Sequence, residues 1–208
     1  MTSTPKRAPT AEELWAELEA LPEHKKGEII EGELFVQPRP RFHHARAIGF
    51  LGHHLGGAFD YDDDGPDGWW IVPEPGIELP GAPEVSPDIA GWRRSTMPDL
   101  PGETEPLRIV PDWVCEVLSP SNARYDRTKK LPYYARVGVP WAWLIDVRDQ
   151  TLEVRELQNG AWVERLVASS EERVRLPPFD AIEVPLARLW VAGARNTGEP
   201  TPGAESSE

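Results

Sequence analysis

Two acidic residues in strongly apolar surroundings are the first candidates for chemistry in this sequence. Glu116 lies inside the run PDWVCEVL (residues 111–118), and Asp88 lies in SPDIA (residues 86–90), 28 positions earlier. An ionised carboxylate in an apolar strand is costly unless it is paired or binds a metal. A buried salt bridge with an arginine or lysine would satisfy Glu116, and so would a metal site. Carboxylates on two adjacent strands form a hard-oxygen site that suits Mg²⁺ or Mn²⁺, although the spacing alone is weak evidence.

The segment that follows Glu116 adds positive charge. The residues SPSN (119–122) end the strand, and a helix is predicted over residues 127–137, with Lys130 on its first turns. Lys130 can therefore reach back toward a metal-bound water or a phosphate. Asp126 is interpreted as the N-cap of this helix rather than as a catalyst. Arg127 is predicted to make either an ion pair at the sheet edge or a contact with phosphate.

The elements that must position these residues alternate in type along the chain. Side chains alternate in a strand, so Glu116 is predicted to lie on the opposite face from Cys115. Thr10 and Glu13 form a capping box for a first helix, and Asn159-Gly160 is a strong hairpin signal. Further helices are predicted over residues 43–59, 127–137 and 185–191, and strands within residues 28–37, 69–79, 87–92, 111–118, 140–147, 151–157 and 161–168.

Together these elements predict one α/β domain over residues 10–192. We expect a single mixed sheet flanked by two or three helices, with a C-terminal β-hairpin. Residues 1–9 and 193–208 are polar, lack hydrophobic periodicity and are predicted to be disordered tails. A chain of 208 residues is long enough for one well-formed core and short for two.

The charge distribution leaves the class of partner open. A net charge of −13 argues against a general nucleic-acid-binding protein, yet residues 39–46, 93–94 and 124–136 are locally basic. No apolar stretch approaches the roughly 20 residues of a membrane-spanning helix. The N-terminus lacks a secretory signal, and Cys115 is the only cysteine. We therefore expect a cytoplasmic protein with no internal disulfide and no membrane partner.

A longer set of motifs resembles a known family. Residues 111–146 are similar to the core signature of the Uma-type family of restriction-endonuclease-like proteins: a PD strand, an EVLSPS turn, a D-R-x-x-K helix and a G-V-x-x-x-W-L-x-D strand. The segment EIIEGEL (residues 28–34), the Pro-rich turn before His44 and the PDI of residues 87–89 resemble its earlier motifs. The combination is specific, and it implies the PD-(D/E)xK nuclease-like fold.

The resemblance also implies a function and a set of site residues. The implied activity is a Mg²⁺- or Mn²⁺-dependent endonuclease that hydrolyses the phosphodiester bonds of DNA. Asp88 and Glu116 would be the metal ligands. A lysine normally stands two positions after the glutamate, but that position is Leu118 here. By resemblance, Lys130 of the D-R-x-x-K helix replaces it and acts on the attacking water or the scissile phosphate.

Two further residues match early positions of the family. Glu28 would be either an additional carboxylate on the metal side or a strand-edge residue paired with a surface arginine. His44 would either contact phosphate or orient a water, or it would cap or pack its helix. Double-strand cutters often pair and exposed edge strands need cover, so a homodimer is also expected.

A second function competes with the endonuclease. Leu118 in place of the usual lysine, together with the net charge of −13, favours a nuclease-fold module that has lost turnover. Such a module would bind nucleic acid or another protein without cleaving it. The distances among the Asp88 and Glu116 carboxylates and the Lys130 ammonium separate the two hypotheses: a cluster within reach of one metal supports the enzyme, and a wide scatter favours the binding module.

Overall fold

Helices and strands alternate along the described part of the chain, which comprises residues 7–61, 68–169 and 172–190 of a computed structural model. The helical segments are α1 (Ala11–Glu19), α2 (Phe42–Phe59), α3 (Ala123–Tyr125), a π-helical turn (Asp126–Lys130), α4 (Leu131–Val137) and a 3₁₀ turn (Leu186–Arg188). The strands are β1 (Lys25–Ile30), β2 (Glu33–Pro38), β3 (Trp69–Pro73), β4 (Ile77–Leu79), β5 (Ala82–Val85), β6 (Ile89–Arg93), β7 (Trp113–Leu118), β8 (Trp141–Asp146), β9 (Thr151–Gln158), β10 (Ala161–Ser169), β11 (Arg173–Val174) and β12 (Val184–Pro185).

The larger sheet is mixed, as predicted. Its six strands follow the order β10-β9-β8-β7-β6-β3. Strands β7 and β8 are parallel, and the other neighbours are antiparallel. The expected α/β class is therefore confirmed, and so is the hairpin of β9 and β10. Asn159 and Gly160 join these two strands with φ angles of 51° and 79°, the positive values that a tight two-residue turn requires.

The two faces of β7 pack against different layers, because successive side chains point to opposite sides. Trp113, Cys115 and Val117 join the apolar core beneath α2. Val114 and Leu118 join a second core, formed with α4 and the smaller sheet. Glu116 lies on the face of Val114 and Leu118, as the alternation predicts.

The smaller sheet was not predicted. Its four strands follow the order β2-β1-β5-β4, so the expectation of one sheet was incomplete. The single strand expected over residues 69–79 is two strands, β3 and β4, which belong to different sheets. Pro73 and Pro75 flank Glu74, whose φ of 47° turns the chain out of the first sheet. Strand β5 was also missed, because APEV shows no clear alternation of apolar and polar residues.

The helix after β7 starts earlier than predicted and contains a π-helical turn. It runs without a break in helical dihedrals from Ala123 through the π turn to Val137. The π turn buries Asp126 and Lys130. Asp126 therefore lies within the helix, and the prediction that it is an N-cap was wrong.

The two ends of the chain differ from the predictions in detail. The capping box of Thr10 and Glu13 is present at α1. The closing helix expected over residues 185–191 is only the 3₁₀ turn Leu186–Arg188, which follows β12. Of the predicted tails, 1–9 and 193–208, residues 1–6 and 193–208 lie outside the described residues. Within the described residues, none of the helices has the length and hydropathy that a bilayer crossing requires.

Candidate active site

Lys130 lies at the centre of a buried polar cluster between β7, β1 and the π turn. Its Nζ is 2.8 Å from Glu116 Oε1 and 3.1 Å from Glu28 Oε1, and it donates a hydrogen bond of 2.9 Å to the Ser86 carbonyl oxygen. All three charged side chains are nearly or fully buried, with exposed fractions of 1%, 2% and 0% for Lys130, Glu116 and Glu28. Lys130 therefore reaches back from the helix to Glu116, while its predicted role at a metal-bound water or a phosphate stays a prediction.

Asp88 lies just before β6 and pairs with His44 of α2. The Nε2 of His44 is 2.8 Å from Asp88 Oδ2, and the Val117 N–H donates to the same oxygen over 2.7 Å. Burial by itself would raise the pKa of Asp88. The hydrogen bond and charge of His44, the charge of Lys130 and the Val117 N–H outweigh burial and hold the pKa of Asp88 below its usual value. Asp88 is thus held as a carboxylate.

The pKa of Glu116 is shifted in the opposite direction from that of Asp88. Burial is the largest cause, and together with the nearby charges of Asp88 and Glu28 it outweighs Lys130 and raises the pKa of Glu116 to about 7. The Tyr134 hydroxyl donates a short hydrogen bond of 2.6 Å to Glu116 Oε1. One lysine is therefore not enough to hold this carboxyl in its ordinary ionised state.

Asp126 is the residue of the cluster that sequence reasoning missed. It is 1% exposed, and neither of its carboxyl oxygens has a hydrogen-bond partner among the described residues. Burial, and then repulsion by Glu116, raise the pKa of Asp126 to about 9. A sequence signal was present: Asp126 stands four positions before Lys130, and residues at that spacing are neighbours on a helix.

A cavity of about 370 Å³ connects this region to solvent. It lies at the C-terminal ends of the parallel strands β7 and β8, the position where open α/β sheets commonly bind ligands. Asp88 and His44 line the cavity, whereas Glu28, Glu116, Asp126 and Lys130 do not. Asp88 is therefore the carboxylate of the cluster that faces an incoming molecule.

Residues 15–187 match the family model Uma2, which is described as "Putative restriction endonuclease". The chain belongs to the Uma2 family. This confirms the resemblance found in the sequence, and the fold is that of a restriction-endonuclease-like nuclease. No curated protein matches the chain.

A solved structure agrees with the Uma2 assignment. The fold is similar to that of a crystal structure described as "a putative nuclease belonging to DUF820 from Anabaena variabilis ATCC 29413". The TM-score is 0.66, the sequence identity is 21%, and the match covers 85% of this chain and 96% of the other. At that identity the likeness shows a shared fold.

The buried carboxyls of this Uma2 protein fit the chemistry of a divalent cation. Glu28 Oε2 and both oxygens of Asp126 are buried without a partner among the described residues. Oxygen donors of this type are those that Mg²⁺ prefers. Among those residues, however, no three His, Cys, Asp or Glu side chains are already arranged to hold a metal ion. The donor types fit, while Lys130 lies between Glu28 and Glu116 in the present arrangement.

The remaining site predictions have clear positions in the structure. Glu28 accepts a hydrogen bond of 2.7 Å from the Ser86 N–H, and it pairs with Lys130 rather than with a surface arginine. His44 contacts Asp88 and does not cap α2, whose N-cap residue is Arg41. Arg127 lies outside the cluster, because its guanidinium pairs with Glu153 on β9. Since β9 is an inner strand, this ion pair is not at the sheet edge.

Proposed function

We propose that the protein is a metal-dependent endonuclease that hydrolyses phosphodiester bonds of DNA. The observation that carries this proposal is the buried cluster of Glu28, Glu116 and Asp126 around a single lysine, Lys130. Raised pKa values at Glu116 and Asp126 indicate that the cluster is short of positive charge. A divalent cation would supply that charge, and perturbed carboxyls of this kind gather at functional sites.

Asp88 and Glu116 would hold Mg²⁺ or Mn²⁺, and the partner-free oxygens of Asp126 and Glu28 would accept hydrogen bonds from its waters. When bound, such a metal polarises a phosphodiester and lowers the pKa of the attacking water. His44 keeps Asp88 in its orientation through their hydrogen bond of 2.8 Å.

Lys130 has the role that the PD-(D/E)xK pattern gives to the lysine two positions after the glutamate. Its ammonium neutralises the carboxylates that would otherwise repel a phosphate. It also provides a fixed positive charge close to where negative charge develops on the phosphoryl oxygens. Because Lys130 Nζ is 2.8 Å from Glu116, Leu118 in the usual lysine position is not an argument against turnover.

The competing function is a nuclease-fold module that binds nucleic acid or protein without cleaving it. The absence of a preformed metal arrangement among the described residues favours this alternative. A titration with Mg²⁺ or Mn²⁺ separates the two functions in part, because the active enzyme must bind metal. A homodimer and a cytoplasmic location stay predictions.

The test is cleavage of a panel of DNA substrates by the purified protein in Mg²⁺ and in Mn²⁺. We expect cleavage by the wild type and a loss of at least about 100-fold in Glu116→Ala and in Lys130→Met, because each removes a group at the reacting phosphate. Glu153→Gln is a matched control, since Glu153 pairs with Arg127 and Arg155 outside the cluster. Equal activity of the wild type and Glu116→Ala would overturn the mechanism.

A further inference from the structure

The cavity beside Asp88 has a charge that is unusual for this acidic protein. Its lining includes four permanent cations (Lys26, Arg39, Arg41 and Arg148) and two histidines, whereas Asp88 is its only acidic residue. The chain as a whole has a net charge of −13. A concentration of positive charge at one opening favours an anionic ligand.

Two of these cations have no partner among the described residues. The guanidinium groups of Arg41 and Arg148 make no ion pair or hydrogen bond with any described residue, and both side chains are exposed. Arg39 donates one hydrogen bond to the Glu23 carbonyl oxygen, and Lys26 pairs with Glu74 over 3.1 Å. Arg41 and Arg148 are therefore available to a phosphate, for which the planar guanidinium is well suited.

Two aromatic residues follow Arg41 in the sequence: His43 is part of the cavity lining, whereas Phe42 lies between two lining residues without being one itself. The ring of Phe42 meets the ring of His43 edge-on at a centroid distance of 5.9 Å. Phe42 is 73% exposed, which is unusual for a phenylalanine and has no role in the core. Exposed aromatic rings next to a basic groove are the arrangement with which proteins bind unpaired bases.

The dimensions of the cavity favour one unpaired nucleotide over an intact duplex. A volume of about 370 Å³ is at the lower end of the range for small-molecule pockets. Asp88 lines the cavity and is only 6% exposed, so a phosphate must enter the cavity to approach it. Enzymes that must bring a nucleotide into a recessed pocket, such as those that modify a base, act on single strands or extrude the nucleotide from the helix.

We propose that this cavity binds one nucleotide of an unpaired nucleic-acid strand. Arg41 and Arg148 contact its phosphates, and the exposed ring of Phe42 stacks on its base. This inference rests on the proposed function, because it assigns a substrate class to the same site. The preferred substrates are accordingly single strands, flaps or locally unwound duplexes.

The experiment is equilibrium binding of a labelled single strand and of the matched duplex to the full-length protein in EDTA, which prevents turnover. The wild type binds the single strand more tightly. Phe42→Ala weakens that binding by about fivefold or more, the loss expected for one stacked base, whereas Phe42→Trp retains it. An abasic strand, which has the phosphates without the bases, binds wild type and Phe42→Ala equally.

Tyr61 provides a matched control for Phe42. It follows the C-terminal end of α2, opposite the end that carries Phe42, and it is 75% exposed. Tyr61→Ala should leave strand binding unchanged. Equal losses in Phe42→Ala and Tyr61→Ala, or tighter binding of the duplex, would overturn the inference.

The salt dependence tests the arginines separately. Each lost phosphate contact on a single strand lowers the slope of log K against log salt by about 0.7. We expect this reduction in Arg41→Ala and in Arg148→Ala, but not in Arg188→Ala, which removes an exposed arginine outside the cavity. Unchanged slopes in both cavity variants would contradict phosphate binding there.

Strand binding in EDTA without cleavage in metal would overturn only the proposed endonuclease activity. Cleavage together with a preference for duplex DNA would overturn only the inference that the cavity binds an unpaired nucleotide.

Discussion

The two faces of β7 are both buried, yet one packs against apolar side chains and the other also against charged ones. On the α2 side, the rings of Trp113 and Trp143 meet Phe179 at centroid distances of 4.9 and 5.6 Å. On the other side, Glu116 is 2% exposed and lies within 2.8 Å of Lys130. One face is closed by apolar packing, whereas the other contains charges that the protein leaves incompletely balanced.

The difference separates stability from function within a single strand. Packed aromatic rings stabilise the fold, and their contribution does not depend on pH. Buried carboxyls such as Asp126, which has no hydrogen-bond partner in the described part of the chain, cost stability and persist where a site needs them. The face of Glu116 is therefore expected to respond to pH and to metal, and the face of Trp113 to neither.

Removal of Phe179 should have the largest effect on stability. Phe179→Ala leaves a cavity among Trp69, Trp113 and Trp143, and substitutions of this type cost about 3–5 kcal/mol of unfolding free energy. Denaturant unfolding at two pH values measures the loss, which we expect to be the same at both. A loss that changed with pH would mean that the apolar face is coupled to the charged one.

Removal of Lys130 should have a slightly smaller effect that does depend on pH. Lys130→Met keeps the length of the side chain but leaves Glu28 and Glu116 without their buried cation, which costs about 3 kcal/mol where the carboxyls are ionised. The pKa of Glu116, raised to about 7, means that this carboxyl is protonated at about pH 5 and ionised at about pH 8.

The loss in Lys130→Met should therefore be small at about pH 5 and grow as the pH rises through 7. The same denaturant titrations measure it, with Lys129→Met as the control. Lys129 is adjacent in sequence, but it makes a surface ion pair with Glu33. A loss in Lys130→Met that stayed constant from about pH 5 to about pH 8 would show that the ion pair with Glu116 does not contribute to stability.

The sequence predicted the charged face well where local rules determine the structure. Alternation along β7 placed Glu116 opposite Cys115, and an apolar strand between turn signals can be read without tertiary information. Asp88 and Glu116 could be selected because they are acidic residues within apolar strands. Lys130 could be selected because it lies on the helix that follows the strand of Glu116.

The features that were missed depend on long-range packing. Asp126 resembled an N-cap because it comes soon after a strand-ending turn. The helix instead starts at Ala123, with a π-helical turn that buries Asp126. The smaller sheet was missed because β1 pairs with β5, a partner more than 50 residues later. No local pattern determines such a pairing.

Replacement of Asp126 has the smallest predicted effect on stability, but it tests the difference between the two faces of β7 most directly. The pKa of Asp126 in the folded protein is raised to about 9, above its ordinary value of 3.8. Because the folded protein binds this proton more tightly than the unfolded chain, its contribution to stability is complete below the unfolded pKa of 3.8. The contribution is then lost progressively as the pH rises from there through the folded pKa of about 9. Asp126→Asn cannot ionise, so we expect it to stabilise the protein by about 1 kcal/mol or more at about pH 8 and to change little at about pH 4.

Thermal unfolding at the two pH values measures this change, and Asp112→Asn is its control. Asp112 accepts hydrogen bonds from the Arg93 N–H and the Thr96 hydroxyl, so loss of its carboxylate should not stabilise the protein. The same Asp126→Asn variant should bind Mg²⁺ or Mn²⁺ more weakly than the wild type, because a neutral amide accepts hydrogen bonds from the metal's waters less strongly than a carboxylate does. Higher stability together with weaker metal binding would show that Asp126 is kept for the site. Higher stability with unchanged metal binding would assign the charged face a role other than holding a cation.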